Sequence, residues 1–179
     1  MKESFGAVFD ESGKYRYRLW RRWNAKLPSV CMIMLNPSTA DATANDPTIT
    51  RCVNMANSWG FGGLEVVNLF AYRSTKPRDL WQAEDPVGPH NDMHIKRTVA
   101  HSQVCVLAWG NLPIGRQDRA KTVLKYLSTR ELMCMGITKQ QQPRHPLYML
   151  SSVELENFAK AISQGETSVN TNKVSSLQI

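Results

Sequence analysis

Two asparagines and one histidine could take part in catalysis or binding. Each asparagine lies at the end of an apolar run, and the histidine lies in a loop that a proline stiffens. Asn36 opens the polar segment NPSTAD after an apolar run, Asn68 ends the next apolar run, and His145 lies between an arginine and a proline. An amide donates and accepts hydrogen bonds at once, so Asn36 could orient a water molecule and Asn68 could pair with a nucleobase edge. A histidine in a stiffened loop could polarise or protonate a leaving group.

Each of these residues also has a purely structural interpretation. Asn36 and the proline after it could form an ordinary Asx turn. Asn68 could bond a neighbouring loop, and His145 could be structural or solvated. Gly110, in the segment WGNLPIG, either lets backbone approach a ligand or simply turns the chain. The residues alone leave these alternatives open.

Four short apolar runs must position these residues, and none of them alternates between apolar and polar positions. Such runs are typical of strands that are covered on both faces. The predicted strands are Ser29 to Leu35, Leu64 to Leu69, Val104 to Trp109 and Leu132 to Met135. Helices are predicted from Asp46-Pro47, an N-cap followed by proline, to Gly60, over Asn91 to Ala100 and over Gly115 to Leu127.

This alternation of strands and helices predicts the α/β class, as a three-layer α/β/α sandwich with a central, mostly parallel four-stranded sheet. Ligands of such sheets bind outside the carboxyl ends of the strands. Asn36, Asn68, Asn111 and the loop after Met135 all fall where the predicted strands end. We therefore expect a site built from loops at one edge of the sheet.

An N-terminal β-hairpin is predicted over residues 5–23, because aromatic and alternating stretches flank the turn-rich segment ESGK. Its second strand interleaves arginines with aromatic rings. These arginines form either a surface for phosphates and stacked bases or a solvated edge whose charges oppose aggregation. They are Arg16, Arg18, Arg21 and Arg22.

The C-terminal region is predicted to contain one more helix and then a tail. The segment SSVE at residues 151–154 is a capping box that opens a helix to about Ile162. With 179 residues and 42% apolar content, the chain is long enough for one full core. We expect a single domain over residues 1–163 and a polar, disordered tail over residues 164–179.

Composition favours a cytoplasmic protein without cofactor or metal, and a monomer. No apolar run approaches the roughly 20 residues of a membrane helix, and the start MKESFGAVFD lacks an apolar signal core. The four separated cysteines are predicted to be buried, reduced thiols. His90 and His94 lie one helical turn apart, but no third ligand completes a metal site. The net charge of +7 favours nucleic acid as a partner.

Several segments resemble, in order and spacing, the signature segments of the uracil-DNA glycosylase superfamily. They are MLNPS, VVNLFAYRSTKPRDL, VCVLAWG and HPLYM. The longer pattern of NPSTADATANDPTITRC, WGFGGLEVVNLFAYR, DPVGPHND and HPLY resembles more closely a bacterial and phage family of domains of unknown function, family 1643. This closer resemblance covers roughly Val30 to Leu150.

The glycosylase resemblance implies roles by position. Asn36 would hold the attacking water, as the Asn-Pro pair does in the mismatch-specific branch. Asn68 would read the edge of the base, and His145 would stabilise negative charge on the departing base. Leu147 or Tyr148 would wedge into the duplex. No metal takes part in this chemistry.

The function expected from these roles is hydrolysis of the N-glycosidic bond of a modified or damaged base in DNA. The alternatives are a catalytically silent module that binds nucleic acid or a modified base, and a hydrolase of small nucleotides. The predicted substrate-binding residues are Pro37, Ser38, Asp41, Asn68, Gly110 and Pro146. The predicted nucleic-acid contacts are Arg73, Lys76, Arg78, Arg144, Leu147 and Tyr148.

Two departures from the superfamily pattern bear on specificity. Asn36 stands where the most active uracil enzymes carry an aspartate, which implies weaker activation of water. The first motif continues with Thr39 and Ala40, without the tyrosine that rejects thymine. Uracil specificity is therefore not implied, and Asp41 and Asp46 are alternative carboxylates for the site.

Overall fold

The computed structural model describes residues 4–164, which form a mixed α/β fold around one sheet of seven strands. The strands are β1 Ser4–Phe9, β2 Arg16–Arg22, β3 Ser29–Met34, β4 Gly63–Asn68, β5 Val104–Leu107, β6 Leu132–Cys134 and β7 Glu156–Asn157. Their order across the sheet is β1-β2-β4-β3-β5-β6-β7. The predicted tail, apart from its first residue, lies outside the described residues.

The four predicted strands are the parallel centre of this sheet. β3 pairs in parallel with β4 and β5, and β5 pairs in parallel with β6. The hairpin joins through β2, which is antiparallel to β4, and β7 joins antiparallel to β6. The sheet therefore has seven strands where four are predicted, because segments before and after the parallel units extend both edges.

Four helices in the described part of the chain connect the strands β3 to β6, and they lie on both faces of the sheet. They are α1 Pro47–Ser58, α2 Pro77–Gln82, α3 Asn91–Ala100 and α4 Gln117–Tyr126. Met32 of β3 belongs to an apolar cluster with Ile49 of α1. Ile33, on the opposite face, belongs to a second cluster with Ile95 of α3 and Val123 of α4. Burial on both faces explains why β3 is apolar at every position after Ser29.

The helix starts show which local signals were sufficient. Asp46 caps α1 as predicted, with its Oδ1 accepting from the backbone N–H of Ile49 at 2.8 Å. The start of the final helix is predicted wrongly, because residues 158–164 are helical whereas 151–152 form a turn and 153–155 have no regular secondary structure. Asn157 starts this helix, its Oδ1 accepting from the N–H of Lys160 at 3.1 Å. α2 is missed, since it lies in a segment predicted to be a polar loop.

The strand β2 is neither a solvated edge nor a free basic surface. It lies between β1 and β4, and its guanidinium groups have partners inside the protein. Arg18 forms a bidentate ion pair with Glu65, with both N···O distances at 2.8 Å. Arg21 is 8% exposed and donates to the carbonyl oxygens of Asp41 and Ala44 at 2.8 and 3.1 Å. Arg21 therefore organises the polar loop after β3.

The cysteine prediction is confirmed, since Cys31, Cys52, Cys105 and Cys134 are all free and buried. Burial raises the pKa of Cys52 to about 12, which keeps this thiol protonated and unreactive at neutral pH. Within residues 4–164, none of the helices has the length and apolar character needed to cross a membrane.

Candidate functional site

A cavity of about 180 Å³ brings the two asparagines and the histidine together at the carboxyl ends of β3 and β4. Its lining includes Arg16, Asn36, Ser38, Asp46, Asn68 and His145. The pairing of β3 with β4 continues past the strands, as the N–H of Phe70 donates to the carbonyl of Leu35 at 3.0 Å. This continuation holds the two polar loops side by side.

The amide of Asn36 is fixed by the loop after β4. Its Nδ2 donates to the carbonyl oxygens of Ser74 at 2.9 Å and Pro37 at 3.0 Å. Its Oδ1 makes no hydrogen bond to another residue in the range 4–164. The side chain therefore presents an acceptor in a set orientation, which is the geometry needed to hold one hydrogen of a water molecule.

Asn68 ends β4 with its side chain 2% exposed and facing the cavity. Its Oδ1 accepts a long hydrogen bond of 3.5 Å from Nη2 of Arg16. Its Nδ2 has no partner within the described part of the chain. Since a buried amide normally bonds through both ends, this N–H group is available to a ligand.

Two side chains, one from α3 and one from α4, hold the carboxyl end of β4, and no local sequence pattern indicates them. Asn91, fully buried at the start of α3, donates from Nδ2 to the carbonyls of Asn68 and Leu69 at 2.9 and 3.1 Å. Arg119 of α4 donates from Nε to the same carbonyl of Leu69 at 2.7 Å. These bonds fix the backbone from which Asn68 projects.

His145 is held as a neutral imidazole with its donor nitrogen defined. Its Nδ1 accepts from the backbone N–H of Leu147 at 3.3 Å and so caps the 3₁₀ turn Pro146–Tyr148. Because Nδ1 accepts, the proton of the neutral ring resides on Nε2. Burial lowers the pKa of His145 below its ordinary value of 6.5, and the negative charge of Asp46 opposes this shift. His145 is therefore an N–H donor at neutral pH.

The loop that carries His145 is tied to α1. Arg51 donates from Nε to the carbonyl of Pro146 at 2.8 Å and from Nη2 to the carbonyl of Met149. Trp59, at the end of the same helix, donates to the carbonyl of Val153 at 2.8 Å. A loop more than eighty residues away in sequence is thus anchored beside the first polar loop.

The two aspartates of the first loop have different places. Asp46 lines the cavity, but its Oδ1 accepts from Ile49 at 2.8 Å and its Oδ2 from the N–H of Ala40 at 3.4 Å. Asp41 does not line the cavity, and its carboxylate accepts from the N–H groups of Thr43 and Ala44 at 2.8 and 2.7 Å. The structure therefore does not bring Asp41 together with the other predicted site residues.

A polar cleft of about 470 Å³ adjoins the cavity and shares Ser38, Ser74 and Thr75 with it. Lys14 and Arg73 also line this cleft. Arg73 donates to the carbonyl of Gly13 at 3.0 Å, and its buried Nε has no partner among residues 4–164. Asp79 also lines the cleft, so its lining side chains carry two cations and one carboxylate beside several hydroxyl groups, a set that can bind a phosphate on the side of the cations.

The remaining predicted basic contacts are more scattered. Lys76 and Arg78 are exposed on the segment around α2 and do not line the cleft. Arg144 is exposed and lines a second cleft of about 550 Å³, which shares Leu35 and His145 with the cavity.

This second cleft has an aromatic and apolar rim. Trp109, Gly110 and Tyr148 line it, and the side chains of Tyr148 and Leu147 are 81% and 45% exposed. Gly110 has a positive φ of 75° and donates its N–H to the carbonyl of Pro143 at 2.9 Å. Large apolar side chains exposed beside a polar cavity are typical of a contact surface for a ligand or partner.

The histidine pair on α3 lies away from this site. The ring of His94 stacks on Tyr17 with centroids 4.9 Å apart, and His90 meets the same ring edge-on at 5.9 Å. In residues 4–164, no group of three or more His, Cys, Asp or Glu side chains is placed to hold a metal ion.

Comparison with known proteins identifies the family of this chain. A family model described as "Protein of unknown function (DUF1643)" matches residues 16–147. The chain belongs to this family. The DUF1643 match begins at the first residue of β2 and ends just beyond His145, so it contains every residue that lines the cavity. Searches of curated proteins and of solved structures each found no match. The predicted resemblance to the DUF1643 family is thereby confirmed, and the resemblance to uracil-DNA glycosylases stays a prediction.

Sequence reasoning missed Arg16 as a member of the site. Arg16 is the first residue of β2 and is 2% exposed. Tyr17, the next residue in the strand, is equally buried. The alternation of buried and exposed positions that is expected of a strand therefore gives no signal for the burial of Arg16. Arg16 and Tyr17 are consecutive, yet both side chains are buried where β2 meets the polar loops after β3 and β4.

Proposed function

We propose that this DUF1643 protein recognises a nucleobase and hydrolyses its N-glycosidic bond, with a modified or damaged base in DNA as substrate. The observation that carries the proposal is the shared cavity of Asn36, Asn68 and His145. Its size supports a base, since engineered cavities of about 150 Å³ hold a benzene ring and this one measures about 180 Å³.

Each side chain has a role in the proposed reaction. A water molecule, oriented by Oδ1 of Asn36, bonds through its oxygen to the anomeric carbon of the sugar. The bond from that carbon to the base nitrogen breaks, and its electron pair leaves with the base. His145 donates a hydrogen bond from Nε2 to the negative base, and the proton released by the water ends on the base or in solvent. Nδ2 of Asn68 donates to the edge of the base.

Three features support DNA as the polymer that presents the base. The cleft with Lys14 and Arg73 adjoins the cavity and could hold a backbone phosphate. Leu147 and Tyr148 are exposed on the other side, where they could fill the space left by a flipped nucleotide. The net charge of +7 favours a polyanion. Helices on both faces of the parallel strands support the three-layer glycosylase-type sandwich, and four buried free thiols support a cytoplasmic location.

The test is to incubate the whole protein with duplexes that carry a panel of natural and modified bases and to detect a released base by mass spectrometry. Asn36→Ala and His145→Ala should each lower the release rate about 100-fold or more while DNA affinity is kept. Asn54→Ala, an exposed change on α1, is the control and should release base at the unaltered rate. Equal rates for all three variants would contradict the assigned roles.

A catalytically silent reader is the second candidate, and one observation favours it. Among residues 4–164, Asp46 is the only carboxylate in the cavity lining, and it already accepts two backbone N–H groups, so this part of the chain supplies no unoccupied carboxylate to activate water. A reader would bind modified DNA without releasing base from any member of the panel. A hydrolase of small nucleotides would instead act on mononucleotides, with rates that depend little on duplex length or salt.

A further inference from the structure

Arg16 is a buried cation in the cavity lining, and one of its donors is unused. Its side chain is 2% exposed and forms part of the cavity lining. Nη1 donates to the carbonyl of Ala40 at 2.9 Å, and Nη2 reaches Oδ1 of Asn68 only at 3.5 Å. Nε is buried and has no hydrogen-bond partner within residues 4–164.

The charge of Arg16 also lacks a direct counterion. No carboxylate in the described part of the chain forms an ion pair with it. Asp46 attracts it through space, but Oδ1 of that carboxylate accepts from the N–H of Ile49 in the first turn of α1, where the helix dipole already stabilises negative charge, and Oδ2 accepts from the N–H of Ala40 in the preceding loop. Burial lowers the pKa of Arg16 to about 10, so the group is still a cation at neutral pH. Buried charges in proteins are normally paired.

Among the amides and the imidazole of the lining, unused donors also outnumber unused acceptors, while the hydroxyls of Ser38, Thr48, Ser74 and Thr75 can act as either. Asn68 offers Nδ2 and His145 offers Nε2, whereas Asn36 offers Oδ1 as an acceptor. A ligand that satisfies this set must supply several acceptors and one donor. A negative oxygen near Nε of Arg16 would in addition provide the missing counterion.

We propose that the cavity binds a single six-membered heterocycle bearing an anionic oxygen group, and that Arg16 is the residue that selects it. This inference rests on the proposed function in one respect, namely that the ligand is a nucleobase. The ring fits the volume of the cavity, the negative group accepts from Nε of Arg16, and Nδ2 of Asn68 donates to a ring carbonyl. Neutral rings with an amino group at that edge would leave the cation unpaired and are disfavoured.

The test measures binding of three free heterocycles to the full chain by calorimetry at neutral pH. The probes are orotate, a pyrimidine carboxylate, uracil, which is the same ring without the carboxylate, and cytosine, which has an amino group. Orotate should bind about tenfold or more tightly than uracil, and cytosine most weakly, which corresponds to at least one lost charge-assisted hydrogen bond. Equal affinities for orotate and uracil would overturn the proposal.

Variants of Arg16 separate ligand selection from a purely structural role. Arg16→Gln should remove the preference for orotate over uracil while weak uracil binding persists. Arg18→Gln is the matched control, because Arg18 lies in the same strand, pairs with Glu65 and does not line the cavity, and it should keep the preference. If Arg16 only positions Asn68, Arg16→Gln would weaken all three probes by the same factor, and the proposal would be wrong.

The outcome does not depend on the folding of one variant. If Arg16→Gln fails to fold, Arg16→Lys keeps the cation but lacks Nε and the planar fork, and should lose most of the preference. The unaltered protein must also be stabilised against heat more by orotate than by uracil. Base release from DNA tests the proposed function separately, so a protein that prefers orotate but releases no base would support this inference and contradict the hydrolysis.

Discussion

Gly110 and His145 approach each other so closely that a Cβ built on Gly110 would stand 3.3 Å from the Cβ of His145. Gly110 follows β5 and has a positive φ of 75°, a backbone conformation that residues other than glycine rarely adopt. The glycine therefore does more than turn the chain, because its missing side chain leaves the space in which the histidine loop packs.

Gly110→Ala should destabilise the protein and also move His145. The left-handed conformation alone costs roughly 1–2 kcal/mol for alanine. Gly115→Ala is the matched control, since Gly115 has a φ of 82° and no neighbouring atom within 4 Å of the built Cβ. Urea unfolding should show similar losses for both variants. Only Gly110→Ala should lower ligand affinity and base release, and equal behaviour of the two in the binding assay would contradict the positioning of His145 by Gly110.

Arg51→Met should release the histidine loop from α1. The variant loses the hydrogen bonds to the carbonyls of Pro146 and Met149, and bonds to charged groups contribute about 1.5–3 kcal/mol each. We expect a stability loss of about 3 kcal/mol or more and faster hydrogen exchange at the amide of Leu147, which donates to His145. Arg130→Met removes a similar bond to the carbonyl of Ser102 at 2.7 Å and should leave exchange at Leu147 unchanged.

Asn91→Leu should weaken the site through the backbone of β4. The change removes the hydrogen bonds to the carbonyls of Asn68 and Leu69. The carbonyl of Leu69 still accepts from Arg119, whereas the carbonyl of Asn68 loses its side-chain donor. Leaving a buried carbonyl unpaired costs about 1–3 kcal/mol, which urea unfolding would detect. Asn54→Leu, at an exposed position of α1, is the control. If Asn91→Leu lost stability but bound the heterocycle probes normally, Asn91 would not position Asn68.

Stability should fall as the pH drops below 6.5. Burial lowers the pKa of both His145 and His94 below their ordinary value of 6.5. Between the folded pKa and 6.5 the unfolded chain binds more protons than the folded one, so the free energy of unfolding rises with pH in that window. Unfolding measured between about pH 5 and pH 7.5 should show this slope. His145→Gln and His94→Gln should each reduce it, and a slope that neither change reduces would contradict the assignment.

Much of the framework was predictable because it depends on neighbouring residues. Uniform apolar runs predict β3, β4 and β5, and Asp46 followed by proline predicts the start of α1. Asn36, Asn68 and His145 were placed at one edge because parallel strands end on the same side, and all three line one cavity. The boundaries of α3 agree with its hydrophobic pattern.

Other features depend on partners that are distant along the chain. The capping box at 151–154 predicts a helix start that is wrong, because residues Glu156–Asn157 pair instead with β6 and the helix begins after Asn157. Asp41 looks like a site carboxylate but turns to its own loop. No local pattern could reveal that strand pairing with β6 would prevail over the helix start that the capping box favours.

By itself the sequence determined which segments become strands and helices and which polar loops follow them, since hydrophobic period and capping act over a few residues. Only the tertiary structure decided that the hairpin would pair with β4 and bring Arg16 to Asn68, fifty-two positions away. That contact has no local signal, because it depends on the pairing of strands that are distant in sequence. It also buries a charge, and the free-energy cost of burying it must be offset by interactions throughout the fold.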